Sequence, residues 1–271
     1  MTVDGALARA RALGIERLDA MLLLAHHLMR SREWLLAHPD DTLDADAQAG
    51  FEADCRRRAD DVPLAYLTGR REFHGLALSV GPDVLVPRPD TETLADWAIE
   101  RVAALPATPC PRVVDLGTGS GALALAIAAA CPHAEVTATD ASEPALAVAS
   151  GNAQRLGLPV RLRHGDWWEA VAGERFDLAV CNPPYVAADD PHLPALRHEP
   201  RQALVAGDGG LAALRRVVTH ARAHLAGWLL LEHGWDQADA VHTMLSQSGF
   251  VDIEAHRDLH GQWRCTGGRL A

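Results

Sequence analysis

The sequence predicts an α/β fold in which a mostly parallel, doubly wound sheet follows a small helical domain and a β-hairpin. Apolar residues recur at helical spacing up to about residue 60, and short extended segments separated by glycine and proline follow. Beyond residue 91, β-rich apolar runs alternate with helical stretches, which is the pattern of βαβ crossovers. We therefore expect a helical domain over residues 1–62, a linker with a β-hairpin over residues 63–90 and an α/β domain over residues 91–271.

The helical domain is predicted from one apolar stripe and two capping residues. Ser31 and Asp44 each precede a helical stretch, and short polar side chains of this kind cap helix N-termini. In the linker, the extended segments 72–74 and 77–80 flank Gly75, which predicts the hairpin. The apolar stripe consists of Leu18, Met21, Leu22, Ala25, Leu28 and Met29.

Seven apolar runs predict the strands of the α/β domain. The last run, residues 263–269, follows the sixth after a gap too short for a crossover helix, so we expect it to pair antiparallel at the edge of the sheet. Ligands of such sheets bind at the carboxyl ends of the strands, where the chemical motifs should be sought. The first six runs are residues 112–116, 134–139, 160–163, 176–181, 228–231 and 250–255.

Composition argues against several classes of protein. The 25 lysine and arginine residues against 36 acidic residues give a formal charge of −11, which disfavours a general nucleic-acid binder. The five cysteines form no Cys-x-x-Cys pair, so neither a disulfide framework nor a zinc site is indicated and a reducing cytoplasm fits best. The histidine pairs His220/His224 and His256/His260 lack the glutamate of a His-Glu-x-x-His site. We expect no bound metal and no membrane insertion.

A glycine-rich loop joins the first strand of the predicted sheet to a helical stretch. Glycine has no Cβ and adopts positive φ, so such a loop lets backbone approach a ligand closely. Asp140 closes the second strand about twenty residues later, where a carboxylate accepts hydrogen bonds from ribose hydroxyls. The pair predicts an adenosine-containing cofactor. The loop also satisfies the dinucleotide fingerprint of hydride-transferring enzymes, so the loop alone does not decide which cofactor binds. The loop residues are Gly117, Thr118, Gly119, Ser120 and Gly121.

Two tryptophans, Trp167 and Trp168, follow the third predicted strand directly after Asp166. An aromatic face at this position can stack on an adenine ring. The sequence does not distinguish which tryptophan flanks the base and which one packs in the core.

The fourth predicted strand delivers Asn182-Pro183-Pro184-Tyr185 to the carboxyl edge of the sheet. Two prolines fix φ and lack N–H donors, so the backbone carbonyls of the turn are held rigidly without local competitors. Asn182 adds a side-chain carbonyl beside the Pro183 carbonyl, and Tyr185 adds an aromatic wall. A planar NH₂ group has two hydrogens to donate to these acceptors, and its delocalised lone pair attacks a methyl sulfonium only when it is well positioned. The motif therefore predicts methyl transfer to an amide or ring amine.

These motifs make the chain resemble the class I S-adenosylmethionine-dependent methyltransferases, and among them the HemK/PrmC family of peptide chain release factor glutamine methyltransferases. The stretches 63–70, 86–92, 199–201 and 230–234 carry the same resemblance, which extends over nearly the whole chain. It implies a Rossmann-like catalytic domain over residues 91–271 and a substrate-recognition role for the helical domain. It also implies a part in translation termination in the cytoplasm, with a release factor as the protein partner.

The resemblance further assigns roles to individual residues. It implies that a glutamine in the Gly-Gly-Gln motif of the release factor is held by Asn182, Pro183, Pro184 and Tyr185. It implies that S-adenosylmethionine is bound by Gly117, Thr118, Gly119, Ser120, Gly121, Asp140, Trp167 and Asn182.

Two other functions fit parts of the pattern. DNA adenine methyltransferases use a similar turn on a flipped base, but the acidic charge and the lack of a basic recognition domain disfavour this reading. A non-catalytic nucleoside-binding module would leave the Asn-Pro-Pro-Tyr motif without a purpose. We expect no direct contact with nucleic acid or membrane, and a monomer.

Overall fold

A computed structural model describes all residues, 1–271, and divides them into two compact units, Met1–Arg70 and Arg71–Ala271. The first unit is helical and the second contains the sheet. None of the ten helices combines the length and the apolar character that a membrane span requires.

The helical unit is built from five short helices around its own core. The side chains of Ser31 and Asp44 accept hydrogen bonds from backbone amides in the first turns of α3 and α4, which confirms both predicted caps. Leu23, Leu24 and Phe51 are fully buried in the core of this unit. The helices are α1 (Val3–Ala12), α2 (Arg17–Leu28), α3 (Arg32–Ala37), α4 (Ala45–Ala59) and α5 (Leu64–Thr68).

A two-stranded hairpin follows, as the linker pattern predicts. Strand β1 (Arg70–Phe73) pairs with β2 (Leu76–Ser79), and the turn residues His74 and Gly75 both have positive φ, 50° and 76°. Two consecutive residues with positive φ define the tight turn whose twist matches that of the flanking strands.

The main sheet has seven strands in the order β5-β4-β3-β6-β7-β9-β8. Neighbouring strands from β5 to β7 pair in parallel, while β9 pairs antiparallel with both β7 and β8. A mostly parallel, doubly wound sheet is therefore confirmed. Its strands are β3 (Arg112–Leu116), β4 (Glu135–Asp140), β5 (Val160–His164), β6 (Phe176–Cys181), β7 (Leu225–Glu232), β8 (Phe250–Arg257) and β9 (Trp263–Leu270).

Helices cover both faces of this sheet, and the alternation of side chains along each strand separates two cores. In β3, Val113 packs in the core formed with α6, α7 and α8, whereas Val114 packs in the core formed with α9 and α10. Leu230 and Leu231 of β7 divide between the same two cores. The helices are α6 (Glu92–Ala103), α7 (Ala122–Ala130), α8 (Glu143–Leu156), α9 (Ala212–His220) and α10 (Ala238–Gln247).

The last strand of the chain departs from the prediction. Its antiparallel pairing is confirmed, but β9 lies between β7 and β8, and β8 forms the edge of the sheet. Gly267 and Gly268 explain the difference because both are buried and approach neighbouring strands closely. A Cβ on Gly267 would lie 2.6 Å from the Leu229 carbonyl oxygen and 2.8 Å from the ring of Trp97.

We expect Gly267→Ala to lower the free energy of unfolding by roughly 1–3 kcal/mol, because the added methyl group has no space between β7 and α6. Gly151→Ala is the matched control, since this helical position has nothing within 4 Å of a new Cβ, and it should gain about 0.5–1 kcal/mol. Urea unfolding of both variants measures the two changes. Equal stability of the two variants would show that β9 is not tightly packed.

Candidate active site

Three strands that end side by side position the predicted motifs. Leu116 of β3 lies opposite Thr139 of β4 on one side and Cys181 of β6 on the other. The residues that follow these three are Gly117, Asp140 and Asn182, so the glycine loop, the acidic residue and the Asn-Pro-Pro-Tyr turn meet at one edge. Parallel pairing of β3 with β6 thus places the two main motifs next to each other.

An open cavity of about 210 Å³ lies at this carboxyl edge. Gly121, Pro183 and Tyr185 do not line it. Gly121 instead caps α7 at a φ of 87°, and Pro183 is buried. The predicted site residues that do line the cavity are Gly117, Thr118, Gly119, Ser120, Asp140, Trp167, Asn182 and Pro184.

The glycine loop uses most of its backbone donors for hydrogen bonds within the protein. The amides of Gly117 and Thr118 donate to the Thr139 carbonyl at 2.9 and 2.8 Å. The amide of Gly119 donates to Asp140 Oδ2 at 2.9 Å, and that of Gly121 to the Thr118 carbonyl. The loop is therefore rigid before any ligand binds. It offers a ligand close approach, because a Cβ on Gly119 would project into open space.

Asp140 is fixed by the same loop. Its Oδ1 accepts from the Ser142 amide and its Oδ2 from the Gly119 amide, each at 2.9 Å. Each carboxylate oxygen has two lone pairs, so one on each oxygen remains for a ligand. A carboxylate held in this way is preorganised to accept two hydroxyl donors.

The structure separates the two tryptophans. Trp168 is buried and its indole N–H donates to the Val217 carbonyl at 2.8 Å, so it is a core residue. Trp167 lines the cavity with a φ of 51°, an unfavourable conformation that turns its ring across Gly117. A Cβ on Gly117 would lie 3.1 Å from that ring. Trp167 is therefore the tryptophan available to a ligand.

In the Asn-Pro-Pro-Tyr turn, the two polar side chains are engaged in different ways. Asn182 Nδ2 donates to Thr91 Oγ1 at 3.3 Å, which leaves Oδ1 on the opposite side of the amide group. The Tyr185 hydroxyl donates to Glu232 Oε1 at 3.2 Å, and burial raises the pKa of this phenol above its usual range. Because its hydroxyl is turned towards Glu232, Tyr185 lies outside the cavity lining.

Several cavity residues come from motifs to which the sequence assigns no contact. Pro87, Arg88 and Thr91 precede α6, and Pro200 and Gln202 follow the turn. A buried carboxylate joins the two segments: Glu199 Oε2 accepts from the Val86 amide at 3.1 Å, and Oε1 accepts from the Arg88 guanidinium. The motifs at 86–92 and 199–201 mark these stretches in the sequence. Their contact is visible only in the fold, because Glu199 lies more than a hundred positions from Val86 and Arg88.

Asp115 is a further buried carboxyl group below the glycine loop. It is 1% exposed, and its Oδ2 accepts from Thr118 Oγ1 at 2.6 Å and from the Ala124 amide at 3.2 Å. Oδ1 is buried without a partner. Burial raises the pKa of Asp115 to about 7, although its two hydrogen bonds oppose the change. No group of three or more histidine, cysteine or acidic side chains is placed to hold a metal ion.

Comparison with known proteins shows the class and the family to which the chain belongs. A model of the Methyltransferase small domain matches residues 101–225, and one of the PrmC N-terminal domain matches residues 5–69. The 16S rRNA N2 G1207 methyltransferase of Thermus thermophilus, solved with AdoMet and guanosine, has the same fold with a TM-score of 0.55. It is 20% identical, and the match covers 74% of this chain and 50% of that one. The fold is that of the class I S-adenosylmethionine-dependent methyltransferases.

Full-length relatives narrow the class to one family. The release factor glutamine methyltransferase of Bordetella pertussis is 50% identical over 262 residues, 95% of this chain and 96% of that protein. The protein of the same name from Escherichia coli K12 is 42% identical over 269 residues, 97% of this chain and 96% of that protein. The chain belongs to the release factor glutamine methyltransferase family.

The buried carboxyl group of Asp115 leads to a prediction about stability and pH. Because its pKa is raised in the folded protein, folding stability is greatest when the group is protonated and falls as pH rises towards about 7. Between pH 5 and pH 8, the free energy of unfolding should fall by about 2–3 kcal/mol less in Asp115→Asn than in the unmodified chain. Urea unfolding without cofactor at the two pH values measures the difference. Parallel losses in both proteins would contradict a raised pKa for the buried Asp115.

Proposed function

We propose that this chain transfers a methyl group from S-adenosylmethionine to the side-chain amide nitrogen of the glutamine in the Gly-Gly-Gln motif of peptide chain release factors. The observation that carries the proposal is the Asn-Pro-Pro-Tyr turn beside the glycine loop, with the Asn182 amide held by Thr91. The names of the full-length relatives support the same substrate.

The residues at the cavity edge fit an adenosine-containing cofactor. Asp140 presents its two preorganised oxygens for the ribose hydroxyls, and Trp167 presents an aromatic face for the adenine. Gly117 and Gly119 leave room for the nucleoside because neither carries a side chain. When bound, S-adenosylmethionine supplies the methyl group on a positively charged sulfonium.

Two acceptors in the turn hold the nucleophile. The buried Pro183 lies between Asn182 and Pro184, which both line the cavity. In the proposed arrangement, Asn182 Oδ1 and the backbone carbonyl of Pro183 each accept one hydrogen of the glutamine NH₂, which leaves the nitrogen facing the methyl group. Positive charge develops on this nitrogen during transfer, and the two carbonyl dipoles stabilise it. Fixed alignment contributes several kcal/mol to the rate for such a weak nucleophile, and the proton leaves to water afterwards. Pro184 lines the cavity beside the glutamine, and Tyr185 anchors the turn through Glu232.

The remaining assignments concern the partner. We propose that the helical domain, residues 1–62, recognises the release factor, while residues 63–90 link it to the catalytic domain, residues 91–271. The formal charge of −11 disfavours direct binding to nucleic acid, so a DNA adenine methyltransferase is the weaker reading. We expect the chain to act as a monomer in the cytoplasm.

The proposal is tested by supplying labelled S-adenosylmethionine with either purified release factor or duplex DNA. Label should enter the release factor alone, and mass spectrometry should locate one added methyl group on the glutamine side chain. Label in DNA, or in neither substrate, would contradict the proposed function.

The same assay with Asn182→Ala tests the assigned acceptor. Loss of one preorganised polar group should lower the single-turnover rate by about 10²–10³-fold at saturating cofactor. Gln154→Ala, which removes an exposed carboxamide from α8, is the control and should keep the unmodified rate. An Asn182→Ala rate within about threefold of the unmodified chain would rule out the two-acceptor arrangement.

A further inference from the structure

We propose that Glu232 is a positioning residue that acts through Thr91 to fix which end of the Asn182 amide faces the substrate. The inference rests on the proposed function, since it concerns the acceptor that holds the glutamine NH₂. Neither Glu232 nor Thr91 belongs to the Asn-Pro-Pro-Tyr turn, and they lie 141 positions apart in the sequence.

The side chains of Glu232, Thr91 and Asn182 follow one another in space at the turn. Glu232 is the last residue of β7 and is 1% exposed, and Thr91 directly precedes α6 and is 4% exposed. The Thr91 hydroxyl lies close enough to the Glu232 carboxyl group to lower its pKa, and Glu232 Oε2 is buried without a hydrogen-bond partner. Thr91 Oγ1 also accepts a hydrogen bond from Asn182 Nδ2 at 3.3 Å.

The number of protons available sets the direction of these bonds. An ionised carboxylate only accepts, and the Tyr185 hydroxyl already donates to Glu232 Oε1. Oε2 is buried without a hydrogen-bond partner, and we infer that the nearby Thr91 hydroxyl turns its single proton towards it. Thr91 then has only lone pairs left for Asn182, which must present its NH₂ group to them. Oδ1 is thereby turned to the other side, where the glutamine NH₂ needs an acceptor.

Several charged and titratable groups face Glu232 and decide when it is ionised. The Arg264 guanidinium attracts the carboxylate, whereas Asp90 repels it. The buried thiols Cys181 and Cys265 also face it, and burial raises the pKa of both, which keeps them neutral. Burial is the largest influence and raises the pKa of Glu232 to about 7, while the hydroxyl groups of Thr91 and Tyr185 and the charge of Arg264 oppose the rise.

Protonation of Glu232 removes the constraint on which way these hydrogen bonds run. A protonated carboxyl group donates one hydrogen bond, and when Thr91 receives it the Thr91 proton is free to point at Asn182. Asn182 is then satisfied by presenting Oδ1 to Thr91, and its NH₂ group faces the NH₂ of the glutamine. We therefore expect the methylation rate to fall as the pH drops through about 7.

Variants of both residues separate this role from a structural one. Thr91→Val keeps the shape but removes the hydroxyl, and it should lower the single-turnover rate by about tenfold or more, with cofactor affinity unchanged by calorimetry. Thr91→Ser should recover most of the lost rate. Thr243→Val, which removes an exposed hydroxyl from α10, is the control and should not change the rate.

Glu232→Gln supplies the pH test. Its side chain can donate to Thr91 at any pH, so the rate should be low and should no longer rise between pH 6 and pH 8. A rate of Thr91→Val equal to that of the unmodified chain, or an unchanged pH profile in Glu232→Gln, would overturn the inference. If Glu232→Gln does not fold, the comparison of Thr91→Val with Thr91→Ser decides. Failure of the unmodified chain to methylate release factor would instead contradict the proposed function.

Discussion

The active site depends on the parallel pairing of β3 with β4 on one side and β6 on the other. This register brings Gly117, Asp140 and Asn182 to one edge although they are spread over 65 positions of the chain. The pairing also rigidifies the site, since the β4 carbonyl of Thr139 accepts two amides of the glycine loop. The residues proposed to bind cofactor and substrate are thus held by the same backbone hydrogen bonds that form the sheet.

A second feature is the use of buried carboxyl groups as anchors. Asp115 lies behind the glycine loop and Glu232 behind the Asn-Pro-Pro-Tyr turn, and burial raises the pKa of each to about 7. An ionised carboxylate in such a place costs folding stability, but its oxygens orient hydroxyl donors such as Thr118 and Tyr185. The site thus gives up some stability for fixed directions of its hydrogen bonds.

Much of the architecture could be predicted from the sequence because it rests on local patterns. Apolar runs identified all seven strands of the main sheet, and Ser31 and Asp44 identified helix starts. The position of β9 could not be predicted, because its place beside β7 depends on the space around Gly267, which is a tertiary property. The roles of Glu199 and Glu232 were missed for the same reason, since their partners are distant in sequence. The sequence also could not choose between two adjacent tryptophans, whereas the fold buries one of them.

The central claim is that the site presents two acceptors, and no donor, to the substrate side chain. The most direct measurement compares the affinities of release factor with glutamine and with glutamate at the methylated position, by calorimetry with S-adenosylhomocysteine at pH 8. Glutamate has the same shape, but its carboxylate has no hydrogen to donate and would face the Asn182 and Pro183 oxygens. We expect the release factor with glutamate to bind about 100-fold more weakly or worse, because the Asn182 and Pro183 oxygens would be left without hydrogen-bond donors. Equal affinities for the two proteins would contradict the claim.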